Sequence, residues 1–226
     1  VQDGATVGVS LSSADKFCLD GNRLRLTGGT YGAANSTYQT ELETFSKIIA
    51  KGTAGSGPQW FEVWAKNGLV YEYGNTTDSR IESILLSGGQ STTVRTWSIN
   101  KIRDRSGNAI TFKYVEDISN GSYRPDEVTW GGNVTAGIAD RYEIKFVYET
   151  PDRPDPIYSY LFGNAANVDG RINEFKRLDR IDVNRLTPAP VRLLRRYHFT
   201  FDPAGGISGR SRLQSFQECA GSTGTD

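Results

Sequence analysis

Apolar and polar residues alternate along most of this chain with the two-residue period of a strand whose faces meet different surroundings. In "IRDRSGNAITFKY", Ile110, Phe112 and Tyr114 fall on one face, and Thr111 and Lys113 on the other. Just before them, "SGN" supplies a glycine-asparagine pair that tolerates the positive φ of a tight turn, and "TWSINKIRD" leads in. The run reads as a hairpin. The stroke recurs in "WFEVWAKNGLVYEYG", where Trp60, Glu62 and Trp64 share a face, Asn67-Gly68 turns, and Leu69, Tyr71 and Tyr73 return. "KFCLDGNRLRL" sets Asp20-Gly21-Asn22 between two short strands. "RYEIKFVYE" aligns Tyr142, Ile144, Phe146 and Tyr148, and "LLRRYHFTF" aligns Tyr197, Phe199 and Phe201. Each such face requires cover, which predicts burial of Phe112 and Phe146.

Helical signals are few. "TYQTELETFSKIIAKG" has a mixed pattern, and Tyr38, Thr40 and Thr44 favour extended backbone, so it is read as strand. "GRINEFKRLDRIDV" repeats Ile172, Phe175, Leu178 and Ile181 every three residues and then alternates at Ile181 and Val183. That pattern suggests a helical turn before a strand. With 25 glycines and turn signals about every ten residues, the fold class is all-β, an antiparallel sheet of successive hairpins with little helix. "GTAGSGP" and "PDRPDP" read as linkers too short to divide the chain, so residues 1–226 are read as a single β-rich segment.

Charge narrows the partners. Lysine plus arginine equals aspartate plus glutamate at 26 each, leaving no positive excess for nucleic acid or anionic lipid. No stretch approaches the roughly 20 apolar residues of a membrane span. The opening "VQDGATVGVS" lacks the basic start and apolar middle of a signal peptide. A chain that starts with valine, has no methionine and ends on "AGSTGTD" is expected to be a segment of something longer, with any export signal elsewhere.

Candidate chemistry was weighed residue by residue, and no catalytic, cofactor or metal site is assigned. His198, the only histidine, lies between Tyr197 and Phe199 and would have to be the base of any triad, but no GxSxG elbow supplies a nucleophile. "GGISGRS" around Ser208 comes nearest. Glycine-rich "AGSGP" and "TGGTYGAAN" lack the context of a phosphate cradle. "NAANVDGR" resembles part of a calcium loop but puts Ala165 and Lys176 where carboxylates are required. Glu41 and Glu43, two apart on an expected strand, have the spacing of an acid-base pair and of the Glu-x-Glu of ADP-ribosyltransferases, but the Ser91–Thr93 run follows them where that order needs it to precede. Cys18 and Cys219 are too far apart in sequence for a redox pair or zinc knuckle; a disulfide and a pair of buried thiols both stay open. Four sequons, at Asn35, Asn75, Asn120 and Asn133, matter only in a eukaryotic secretory pathway. A binding reading also stands: Trp60, Trp64, Trp97 and Trp130 could stack on sugar rings as a β-sandwich carbohydrate module, against core packing as the ordinary role of strand tryptophans.

The order and spacing of "DKFCLDGNRLRL", "TYQTELETFSKI", "FEVWAKNGLVYEYG" with "DSRIES", "TWSINKIRDRSGNAITFKY" and "GRSRLQSFQEC", from about Asp15 to Cys219, resemble the SpvB-like N-terminal region of insecticidal toxin complex B-components and Rhs (YD-repeat) proteins. The resemblance implies part of a β-rich shell that, in toxin complexes, encloses a toxic C-terminal cargo. It implies a non-catalytic structural segment of a secreted or surface-delivered bacterial toxin-like virulence protein. Its partners would be other segments of the same parent or toxin-complex subunits, with no cofactor, no nucleic acid and no membrane span. The family's transferase domain, self-cleaving aspartates and propeller have no counterpart in these residues, and the YD repeats are not regular here.

Overall fold

Glycines between alternating runs reverse the chain where the pattern requires it. In the computed structural model, which describes residues 9–87, 89–160, 168–202 and 209–221, Gly68 holds φ +84° and the Asn67 side chain accepts the Leu69 N–H at 3.0 Å. The flanking runs become antiparallel partners, with Phe61 opposite Tyr73 and Val63 opposite Tyr71. Asp20 and Gly21, at φ +48° and +78°, make the same kind of turn near the start.

The strands in chain order are β1 Cys18–Leu19, β2 Asn22–Gly28, β3 Thr37–Thr40, β4 Lys47–Lys51, β5 Trp60–Trp64, β6 Val70–Tyr73, β7 Arg80–Leu85, β8 Gln90–Trp97 and β9 Ile99–Arg103. They continue with β10 Asn108–Asp117, β11 Ser122–Asn133, β12 Tyr142–Tyr148, β13 Ile157–Tyr160, β14 Val168–Asp169, β15 Arg171–Glu174, β16 Leu178–Arg185, β17 Arg192–Asp202 and β18 Arg212–Ala220. Among the described residues the helical content is a 3-10 turn at Thr77–Ser79. The all-β antiparallel reading therefore holds, and thirteen strands share one sheet order.

The chain forms two compact units. The first takes the chain up to Arg105, Val115–Tyr123 and Ser159–Ile172; the second takes Ser106–Tyr114, Arg124–Tyr158 and the chain from Asn173. In the first unit the order is β1-β2-β3-β4-β5-β6-β9, beside a smaller β14-β7-β8 sheet. Its core follows from alternation: Leu24, Tyr38, Ile48, Ala50, Phe61 and Val63 point inward from four strands and are at most 5% exposed. Ala50 faces Phe61 and Ile48 faces Val63 across the β4–β5 ladder. Phe17, Tyr31 and Trp97 close over this cluster, Phe17 stacking on Tyr31 at 5.1 Å and meeting Trp97 edge-on at 5.5 Å. The linker "GTAGSGP" is the loop between β4 and β5, pinched by an Ala54–Gly57 bridge.

The second unit carries the ladder β11-β12-β16-β17-β18. Ile144 faces Val183, Ile181 faces Tyr197, and Phe199 faces Phe216. Three one-residue bulges interrupt it, where Asp179, Leu194 and Gln214 have no opposite number. Of the buried apolar residues described, only Ala109 belongs to this unit, while Leu213 and Phe216 are each 56% exposed. Phe112 and Phe146 are strand residues as expected, but both are half-buried and not buried, because their sheet face has little apolar cover within the unit. "GRINEFKRLDRIDV" contains no helical turn: β15 ends at Glu174 and β16 begins at Leu178, so the three-residue spacing came from two strands separated by a short gap. "TYQTELETFSKIIAKG" divides into β3 and β4 with a bend at residues 41–46.

Candidate functional site

A concave feature lies within the first unit. A cavity of about 400 Å³ has Leu24, Ile48, Phe61 and Val94 at its wall and Phe17 and Trp97 across it. Two of its aromatic side chains are already bonded into the wall. Tyr31 Oη accepts the Phe17 N–H at 2.6 Å, and the Trp97 indole N–H donates to Pro58 O and Gln59 O at 3.2 and 3.1 Å. Burial pushes the Tyr31 and Tyr73 phenols up to about 12, so both stay protonated at any physiological pH. The wall thus presents carbon faces, with Asp15, Lys16 and Arg95 among the polar lining residues. Such a surface holds apolar groups.

The residues singled out for chemistry lie apart. His198 Nε2 meets Asp179 Oδ1 at 3.1 Å on an open face of the second unit, its side chain 40% exposed. Asp179 reaches it because it is a bulge residue. The neighbouring Thr200 hydroxyl is engaged with Ser215 at 2.5 Å. Ser208 and Ala165 lie outside the described residues. Glu41 and Glu43 are exposed in the bend after β3 and not on a strand, because the chain must turn there to pair β3 with β4; Glu43 Oε1 accepts the Phe45 N–H at 2.6 Å. Ser91 and Thr93 hydroxyls accept backbone N–H groups of Thr93 and Ser56 at 3.1 Å each. Cys18 and Cys219 are free thiols, Cys18 exposed. Among the described residues no group of three or more His, Cys, Asp or Glu side chains is placed to hold a metal ion.

The tryptophans do not form a sugar platform. Trp64 is 45% exposed, with its indole N–H on Glu62 at 2.9 Å and Arg103 over its ring, whereas Trp60, Trp97 and Trp130 are half-buried. Trp130 stacks on Tyr142 at 5.7 Å in the second unit.

Two electrostatic arrangements had no local signature in the sequence. In the first unit the Gln90 amide bridges Glu82 and Glu116, at 2.8 and 3.1 Å. Burial first, then the charge of Glu82, carries the Glu116 carboxyl up to about 7, and burial also raises Glu82. In the second unit Asp155, with 7% of its side chain exposed, accepts Arg153 Nε and Nη2 at 3.2 and 3.1 Å and the Ser211 N–H and hydroxyl at 2.9 and 2.6 Å. The Arg153 guanidinium and these hydroxyl and amide donors hold that carboxyl well below the usual range. "PDRPDP" is therefore a tied segment, although it was read as a linker. The partners are 56 positions apart, and nothing in the local pattern couples them.

No helix among the described residues is long and apolar enough to cross a membrane. No curated protein matches the chain. Its fold is similar to the N-terminal domain of effector protein SpvB from Salmonella typhimurium strain LT2, with a TM-score of 0.72 and 15% identity over 94% of this chain and 83% of that one. It is also similar to part of a TcdB2-TccC3-Cdc42 structure (TM-score 0.71, 15% identity, 93% of this chain) and of the Photorhabdus luminescens Tc holotoxin pore (TM-score 0.65, 14% identity, 88% of this chain). In both it spans only 12% of the matched chain. The sequence model of the SpvB family, described as Salmonella virulence plasmid 65kDa B protein, matches residues 25–155, more than half of the chain. With family model and fold in agreement, the chain belongs to the SpvB family.

Proposed function

We propose that this chain is a non-catalytic wall segment of a secreted or surface-delivered toxin-like protein, a single SpvB-like region that works against other segments of its parent or subunits of a toxin complex. The observation that carries this reading is the second unit, a ladder of long strands whose apolar face keeps Leu213 and Phe216 each 56% exposed. A sheet face of that kind needs a cover. Family membership and the likeness to shell-forming toxin structures support a neighbour in a larger polypeptide as that cover.

Hydrogen exchange on the chain alone and within its full-length parent tests the proposal. Amides of β17 and β18 are expected to gain protection in the parent, and equal exchange in both would overturn it. Purified chain is also expected to show no transferase or hydrolase turnover. A turnover abolished by His198→Ala or Glu43→Ala would refute the non-catalytic part.

A further inference from the structure

We propose that Glu82, Gln90 and Glu116 form a proton-operated clasp that fastens the β7–β8 hairpin to the C-terminal end of β10. All three belong to the first unit. The single side-chain amide of Gln90 gives one hydrogen to Glu82 Oε2 at 2.8 Å and the other to Glu116 Oε1 at 3.1 Å. Its donors are then used up. When both carboxylates are ionised, two like charges are met only by neutral donors, the Gln90 amide and the Glu82 backbone; when one is protonated, the repulsion disappears and the bridge remains.

The charged groups around the pair do not remove that conflict. Arg80, from β7, acts on Glu82, and Arg95, from β8, acts on Glu116. Arg95 is itself committed to the Gly121 carbonyl, and its Nε is buried with no partner among the described residues. Tyr123, from β11, acts on Arg95.

The sign of the linkage follows. Freed of the clasp, Glu116 would titrate near its ordinary 4.5; in the clasp it titrates near 7. The clasped form thus binds a proton more tightly than the open form. Its advantage is complete below the ordinary value and is lost as pH rises through about 7. Mild acid tightens the hairpin and mild alkali loosens it. The two carboxyls titrate as a pair, so the observable is the pair's apparent upper value.

The test is hydrogen exchange on the whole chain at pH 5.5 and pH 8, corrected for the intrinsic pH dependence of amide exchange. Peptides from residues 80–97 and 115–123 are expected to lose about thirtyfold in protection at the higher pH, the roughly 1.5 units from pH 5.5 to the clasp's value near 7 each being a factor of ten. Glu116→Gln, which keeps an acceptor for Gln90 without a charge, should flatten that dependence, while peptides of β17 and β18 stay unchanged in both proteins. A carbon-13 carboxyl titration should show one glutamate of the pair with an apparent value above 6. A hairpin whose protection is the same at both pH values, or a pH dependence that persists in Glu116→Gln, overturns the clasp. So does a normal carboxyl titration. A purely structural bridge would lose protection equally at both pH values on substitution, so that outcome also counts against it.

Discussion

Replacing Asp155 with asparagine removes one charge and almost no volume. The carboxylate takes four hydrogen bonds, two on each oxygen: Arg153 Nε and the Ser211 hydroxyl on Oδ1, Arg153 Nη2 and the Ser211 N–H on Oδ2. In asparagine, whichever oxygen becomes an amide turns a donor toward an arginine N–H and a serine donor. Two bonds to a charged acceptor are lost and the remaining two weaken. At about 1–1.5 kcal/mol for each lost bond, the cost is about 2–3 kcal/mol. For a chain of this size that corresponds to a fall in Tm of roughly 5–10 °C. Because the folded-state pKa is depressed, the stabilisation is present above the ordinary aspartate value of 3.8 and is lost as pH falls through the folded value. Calorimetry of both proteins at pH 7 and at pH 2–3 measures this, with a large difference at neutral pH and a smaller one in acid. A variant within about half a kcal/mol of the parent at pH 7, or a gap that does not shrink in acid, would refute the reasoning.

Phe61→Ala, in the first unit's core at 5% exposure, should cost about 3–5 kcal/mol, whereas Phe216→Ala, 56% exposed, should cost less than about 1.5 kcal/mol in the isolated chain; chemical denaturation of the pair checks the contrast. Gly121→Ala should lose about 2 kcal/mol or more, since φ is +66° and a Cβ would sit on the Arg171 carbonyl, and a melting curve reads it directly. Reducing agent should leave Tm within about 1 °C, as Cys18 and Cys219 are free thiols; a loss of the 2–5 kcal/mol typical of a native disulfide, absent in a double serine variant, would contradict the unbonded state.

Hairpins were legible in the sequence wherever alternation met a turn residue. Asn67-Gly68 fixes the β5–β6 register because only a residue tolerant of positive φ closes that loop, and Phe61 and Val63 then have one side on which to be buried. The depth of burial was not legible. Phe112 and Phe61 sit in similar alternating runs, but cover depends on what stacks against the sheet, and that is a long-range property. The same holds for Glu82 and Glu116, which Gln90 bridges from a third strand. In "GRINEFKRLDRIDV" two strand periods offset by a gap imitated a helical one.

The bulge at Gln214 decides which side of β18 is greasy. On a straight strand Leu213 and Phe216, three apart, would point to opposite faces. With Gln214 left over, Leu213 lies opposite Phe201 and Phe216 opposite Phe199, so all four gather on one side. The irregularity works as a sorter. If the ladder ran straight with that glutamine kept, Gln214 would lie opposite Phe201, Leu213 would swing across the sheet, and the apolar strip would be split between two surfaces. A neighbouring chain that recognises this strip therefore reads a backbone kink as much as a set of side chains. A strand seeking to pair along the open edge meets the same kink partway, which limits joining to partners shaped to it.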